Sequence, residues 1–141
     1  MANWYIVSSS RPNLAIQGGA TAGSGLTLEA LDKANASQQW TVQPQVANGY
    51  AGIALINAAT ALSVTFNGEH NQLVMESYSP ISVDQDAWLF FPQGGANTFR
   101  IVWPKDTSWC WEDNGAHFAP GDSILLWNDQ APNSQWSLVY Q

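Results

Sequence analysis

The residues that could take part in covalent or metal chemistry are few in this sequence and lie apart from one another. Cys110 is the single cysteine, and a reactive thiol would need a nearby histidine and an activating environment, which its neighbours do not supply. His70 and His117 lie on expected hairpin loops without the spacing of a metal site. The sequence contains no phosphate-binding loop, nucleophile elbow or placed pair of carboxylates. It therefore predicts a non-catalytic protein without metal or cofactor.

The charge of the chain excludes several classes of partner. Its 141 residues carry a formal net charge of −7, with only four lysines and arginines. Four scattered cations form no basic stripe, so we expect binding neither to nucleic acid nor to anionic membranes. Only 11% of the residues are charged, so Asn, Gln, Ser and Thr must supply the polar surface, which suits neutral polar ligands.

The N-terminus lacks the charged segment and apolar run of a secretion signal, and no stretch of about 18 apolar residues follows. With one cysteine there is no internal disulfide. We therefore expect a soluble, cytoplasmic protein without membrane insertion.

Three of the eight tryptophans mark a repeat. Trp40, Trp88 and Trp136 recur at intervals of 48 residues, each after a polar stretch and before alternating hydrophobic residues. Large aromatic side chains at a fixed point of a repeat are typical of a core. We expect all three to be buried.

The elements that must position these tryptophans are short β-strands. In each unit two alternating apolar runs flank a turn pair, Gly18-Gly19, Asn67-Gly68 or Asn114-Gly115, and such pairs indicate hairpins. Each unit then consists of strand, turn, strand, hairpin, strand, polar loop and strand. We predict a single all-β domain over residues 1–141, a β-trefoil with three pseudo-symmetric four-strand repeats at approximately 1–46, 47–92 and 93–141.

The residues before each repeat tryptophan carry a family resemblance. They read Gln38-Gln39-Trp40, Asp86-Ala87-Trp88 and Ser134-Gln135-Trp136. With their spacing, these triplets resemble the Gln-x-Trp mark of the ricin B-type β-trefoil lectins, including the small single-domain fungal and bacterial members. The resemblance implies that the tryptophan packs in the core, that the glutamine bonds the loop, and that the protein binds carbohydrate.

The same resemblance implies one sugar pocket per repeat, built from an acidic residue, an aromatic residue and a loop asparagine. An aromatic ring stacks on the apolar face of a sugar, and a carboxylate with an amide fixes its hydroxyls. The third repeat matches this pattern best, because Trp127 should point outward between core residues and Asn133 stands three residues before Trp136. The predicted sugar-binding residues are Asp113, Trp127 and Asn133, with Asn114 and Asn128 at the rim.

The third repeat departs from the pattern at one point. The usual acidic place holds Cys110, so Asp113 would act from a different direction. This departure leaves both galactose- or GalNAc-type and mannose-type sugars open.

The first two repeats match less well. The place of Trp127 holds Glu29 or Glu76, which offers no stacking face. The acidic place holds Ala15 or Ser63, with Asn35 or Asp84 nearby, so we expect weaker sites or none.

Two functions remain open from the sequence. The first is a non-catalytic lectin for a neutral monosaccharide or glycan terminus. The alternative is a trefoil that binds protein, as an accessory subunit of an enzyme or toxin complex or as an inhibitor. A protein partner and a homo-oligomer both stay compatible with the sequence.

Overall fold

The structure is a computed structural model that describes residues 3–128 and 131–141. Within these residues it contains three short 3₁₀ helices, Ala36–Gln38, Asn114–Ala116 and Pro132–Ser134, and no helix long and apolar enough to cross a membrane. The described strands are β1 (Trp4–Ser8), β2 (Leu14–Gln17), β3 (Thr27–Ala30), β4 (Trp40–Ala47), β5 (Tyr50–Asn57), β6 (Leu62–Thr65), β7 (Val74–Ser77), β8 (Ile81–Ser82), β9 (Leu89–Pro92), β10 (Phe99–Trp103), β11 (Asp106–Asp113), β12 (Ile124–Trp127) and β13 (Trp136–Tyr140).

Six strands close into a barrel, and three hairpins cover it. The ring runs through β1, β4, β5, β9, β10 and β13, which pairs again with β1. The hairpins β2–β3, β6–β7 and β11–β12 share one register, with Ala15 opposite Glu29, Ser63 opposite Glu76, and Cys110 opposite Trp127. This is the predicted β-trefoil with three four-strand repeats.

The three repeat tryptophans join the barrel to the hairpins. Trp40, Trp88 and Trp136 are each at most 1% exposed. Their indole N–H groups donate to backbone carbonyls of the hairpin in the same repeat, at Ile16 (3.2 Å), Val64 (2.9 Å) and Trp111 (2.9 Å). Each tryptophan therefore fills the core and satisfies its one polar atom there, which confirms the predicted core role.

In the first and third repeats the residue two before the repeat tryptophan ties down the polar loop, as the resemblance implied for the glutamine. Gln38 donates to the Ala30 carbonyl and accepts from the Asp32 amide. At the same place in the third repeat, buried Ser134 donates to the Ala131 carbonyl at 2.6 Å. Side chains of different length therefore serve the same purpose.

The hairpin between β4 and β5 breaks the threefold symmetry. Both strands have eight residues, and the turn at Asn48 and Gly49 uses positive φ values of 51° and 83°. The short strand β8 pairs with β4 in parallel. Its residue Ile81 is 77% exposed. We call β4, β5 and β8 together the arm.

Candidate functional site

The hairpin β11–β12 presents one face to the core and the other to a cavity. Trp111 lies opposite Leu126, and both are fully buried in the core. Alternation along the strands then turns the next pair, Glu112 and Leu125, to the outer face together with Trp127. The local sequence thus places a carboxylate and an indole on the same side of one hairpin.

A cavity of about 370 Å³ lies against this outer face. Of the five residues predicted to bind sugar, four line it together, whereas Asn128 is exposed and lies outside the lining. The lining residues with side chains that could hold a ligand are Glu112, Asp113, Asn114, Trp127 and Asn133.

Asn133 lies at the floor of the cavity on the short helix Pro132–Ser134. It is only 6% exposed, and its amide donates to Glu112 Oε1 at 3.1 Å and to the Asp113 carbonyl at 2.7 Å. The other amide atom, Oδ1, is buried without a hydrogen-bond partner in the described part of the chain. A buried acceptor without a donor is costly, so a hydrogen-bond donor that reached this atom would be favoured.

Glu112 is a cavity-lining polar side chain that the sequence analysis did not select. It is 3% exposed, yet it faces the cavity and bonds Asn133. The acidic residue was predicted to be Asp113, because the place that the family pattern gives to it holds Cys110, two residues before Glu112 on the same strand face. The same alternation that placed Trp127 on the outer face would have identified Glu112.

The Asp113 carboxyl holds the loop that forms the cavity rim. Its Oδ2 accepts the Phe118 amide at 2.7 Å. Burial, followed by a hydrogen bond with Asp122 and the charge of that residue, raises the pKa of Asp113 to about 7. Direct contact between Asp113 and a ligand stays a prediction.

The second repeat also has a cavity of about 370 Å³, with a different lining. Glu76 occupies the place of Trp127, and burial, followed by the charges of Asp86 and Asp84, raises its pKa to about 7. Thr65 replaces Glu112, so this cavity has neither the indole nor the equivalent carboxylate.

In the first repeat the equivalent polar groups bond one another. Gln17 stands at the place of Glu112, and its Oε1 accepts from Asn35 at 3.1 Å and from Gln38 at 3.2 Å. The three equivalent places therefore differ in chemistry, and the third combines an aromatic face with buried acceptors.

Comparison with known proteins identifies the family and the fold. The model of the family "Ricin-type beta-trefoil lectin domain-like" matches residues 36–127, about two thirds of the chain. The chain belongs to this family. Membership of a lectin-domain family supports carbohydrate binding in general terms. No curated protein sequence matches this lectin-like domain significantly.

Solved structures share the fold of this lectin-like domain at low sequence identity. The designed threefold-symmetric protein ThreeFoil has a TM-score of 0.78 at 15% identity, over 97% of both chains. The C-half of an earthworm R-type lectin, in complex with GalNAc, has 0.73 at 14%, over 100% of both chains. The Macrolepiota procera ricin B-like lectin, in complex with lactose, has 0.72 at 17%, over 96% of this chain and 93% of that one.

Proposed function

We propose that the third-repeat cavity binds one neutral monosaccharide at the terminus of a glycan, without catalysis. The observation that carries this proposal is the arrangement of Trp127, Glu112 and Asn133 around one cavity. The indole offers a flat apolar surface, while the carboxylate and the amide oxygen accept hydrogen bonds. A sugar ring has the matching apolar C–H face and hydroxyl donors.

The acceptors favour a hydroxylated ligand over an apolar one. A site with buried polar groups rejects analogues that lack the matching hydroxyl, because those groups then stay without partners. Asn133 Oδ1 is such a group. Galactose- or GalNAc-type and mannose-type sugars all carry adjacent hydroxyls, so binding measurements must decide between them.

A single shallow site of this kind binds weakly. We expect a dissociation constant near millimolar, which corresponds to about −4 kcal/mol. Useful avidity would then require several sites or an oligomer.

The proposal is tested by titrating GalNAc, lactose and methyl mannoside into wild type and two matched variants. Trp127→Ala should abolish binding and leave the fold intact, because Trp127 is partly exposed and faces away from the core. Glu76→Ala changes the equivalent position of the second repeat and should leave binding nearly unchanged. Heteronuclear NMR spectra report both binding and fold.

Equal binding by wild type and Trp127→Ala would overturn the site assignment. A wild type that binds none of these sugars and no glycan on an array would overturn the function. That outcome would favour the alternative role as a protein-binding subunit.

A further inference from the structure

A histidine from the second repeat packs against the indole of the third-repeat cavity. The His70 ring lies 4.2 Å from the Trp127 ring and 5.0 Å from the Trp109 ring, between centroids, with edge-on geometry in both contacts. His70 is not one of the residues that line the cavity. It therefore contacts Trp127 from outside the space that a ligand would occupy.

Backbone hydrogen bonds fix His70 to the strand that carries Trp127. The His70 amide donates to the Leu126 carbonyl at 2.8 Å, and the Leu126 amide donates to the Asn71 carbonyl at 3.0 Å. Leu126 immediately precedes Trp127 in β12. The backbone that carries the imidazole is thus held next to the backbone that carries the indole.

The same backbone pattern occurs at all three hairpins and identifies the equivalents of His70. The Gly23 amide donates to the Met75 carbonyl at 2.8 Å, and the Gly121 amide donates to the Leu28 carbonyl at 2.7 Å. Met75 and Leu28 directly precede Glu76 and Glu29, the residues at the place of Trp127.

These three equivalent positions all have positive φ, at 88° for Gly23, 68° for His70 and 92° for Gly121. Glycine adopts such a conformation without strain, whereas a residue with a Cβ does so at a cost. Two repeats use the unstrained residue. Only the second of the three repeats has a side chain at this position, His70. The residue that His70 contacts in the third repeat is a tryptophan, Trp127, whereas the two glycines lie next to Glu76 and Glu29.

We propose that His70 is a positioning residue that fixes the plane of the Trp127 indole, so that the second repeat completes the third-repeat site. This inference rests on the proposed sugar-binding function. An indole that turns about its side-chain torsions must be ordered when a sugar stacks on it, and that ordering opposes binding. Contact with His70 restricts the rotation of the Trp127 indole before a sugar binds. The strained backbone of His70 is the cost of this contact.

The experiment compares His70→Gly, His70→Phe and the neighbouring control Glu69→Gln with wild type. His70→Gly introduces the residue that the fold already uses at the two equivalent positions, so we expect it to fold. GalNAc, lactose and methyl mannoside serve as probes. We expect His70→Gly to bind the preferred probe about three- to tenfold more weakly, as loss of one aromatic contact predicts. His70→Phe should restore much of the affinity, and Glu69→Gln should match wild type.

A readout without sugar separates this inference from the function on which it rests. Each of the eight tryptophans gives an indole N–H resonance in NMR spectra, and loss of one signal in Trp127→Phe assigns that of Trp127. His70→Gly should shift or broaden the Trp127 signal, while the signals of Trp40, Trp88 and Trp136 stay in place.

The outcomes are distinct. A wild type that binds no probe overturns the proposed function, whatever the indole spectra show. An unchanged Trp127 signal in His70→Gly, or unchanged affinity in that variant, overturns the positioning role. Binding by His70→Phe that is as weak as that of His70→Gly also overturns it, because the imidazole would then act through its nitrogens.

Discussion

At the residue scale, Glu112 and Asn133 form the polar half of the candidate site. Asn133 is tied to Glu112 through one amide hydrogen, so the two side chains are mutually oriented before any ligand arrives. Preorganised acceptors of this kind bind a hydroxyl without first having to be ordered. Loss of an acceptor oxygen of Glu112 should therefore affect binding more than folding.

Glu112→Gln tests this point. Glutamine keeps the length and one acceptor oxygen for Asn133 but replaces the second carboxyl oxygen with an NH₂ group. Because a ligand hydroxyl would lose one acceptor, and one hydrogen bond contributes on the order of 1 kcal/mol, we expect sugar affinity to fall about tenfold, or ~1.4 kcal/mol. Isothermal titration or NMR titration measures it, with Glu29→Gln in the first repeat as the matched control. Unchanged affinity in Glu112→Gln would remove this carboxylate from the binding site.

The residues of the site were only partly predictable. Strand alternation was enough to point Trp127 outward, and the spacing from Trp136 was enough to find Asn133. Glu112 was missed because the family pattern directs attention to the place of Cys110, whereas Glu112 lies two residues later on the same face of the strand. The link between Glu112 and Asn133 depends on where a short helix lies, which no strand pattern reveals.

At the element scale, the loop from 114 to 122 is held by hydrogen bonds to the carboxyl groups of Asp113 and Asp122. Asp113 accepts the Phe118 amide, and Asp122 accepts the Ala119 amide at 3.1 Å. Burial and the neighbouring Asp122 carboxyl raise the pKa of Asp113 to about 7. Part of this loop forms the rim of the cavity.

Stability should fall as pH rises from about 4 to above 7. An aspartate in the unfolded chain titrates near pH 3.9, whereas folded Asp113 titrates at about 7. Between these values the folded state binds more protons than the unfolded state, so each rise in pH favours unfolding. We expect the thermal midpoint to be lower at pH 8.5 than at pH 5, as circular dichroism would show.

Asp113→Asn isolates this contribution. Asparagine still accepts from the Phe118 amide but has no carboxyl group that titrates. Glu76 has a pKa raised in the same direction, so the comparison is made in a Glu76→Gln background. The pH dependence should be smaller with asparagine at position 113, and an identical dependence would show that the carboxyl pair does not control the loop.

The hairpins were predicted, but their turns differ from the expected tight turns. The connection from β2 to β3 runs from 18 to 26, and Gly18 and Gly19 do not have positive φ. A Cβ on Gly18 would meet Asn57 Nδ2 at 2.7 Å, so the glycine permits close packing there. The positive φ values come later in two of the loops, at Gly23 and His70, where the hairpins bond one another. The sequence pattern of a single repeat does not reveal contacts between repeats.

At the scale of the whole molecule, the fold could be predicted because buried core tryptophans recur with the period of the repeats. In the sequence, the separation between each repeat tryptophan and the hairpin residue whose carbonyl it bonds is the same to within one residue. The extension of β4 and β5 into the arm and the strand β8 were not predicted, since they belong to one repeat junction and have no counterpart in the other repeats. Periodicity therefore predicts the strands and core residues that the three repeats share. The candidate site is built from residues that differ between the repeats.

Removal of Trp88 tests whether the core acts as one unit. This fully buried indole contacts Phe66 and Trp111 with ring centroids 5.9 Å and 5.2 Å apart, and it bonds the Val64 carbonyl. Trp88→Ala should cost about 3–5 kcal/mol against a total stability of about 5–15. Urea unfolding followed by circular dichroism gives the difference, with the partly exposed Trp127→Ala as the matched control. Because all three repeats share one core, we expect a single transition at lower urea concentration. An unchanged midpoint would show that Trp88 does not support the core, and two separated transitions would show that the repeats unfold independently.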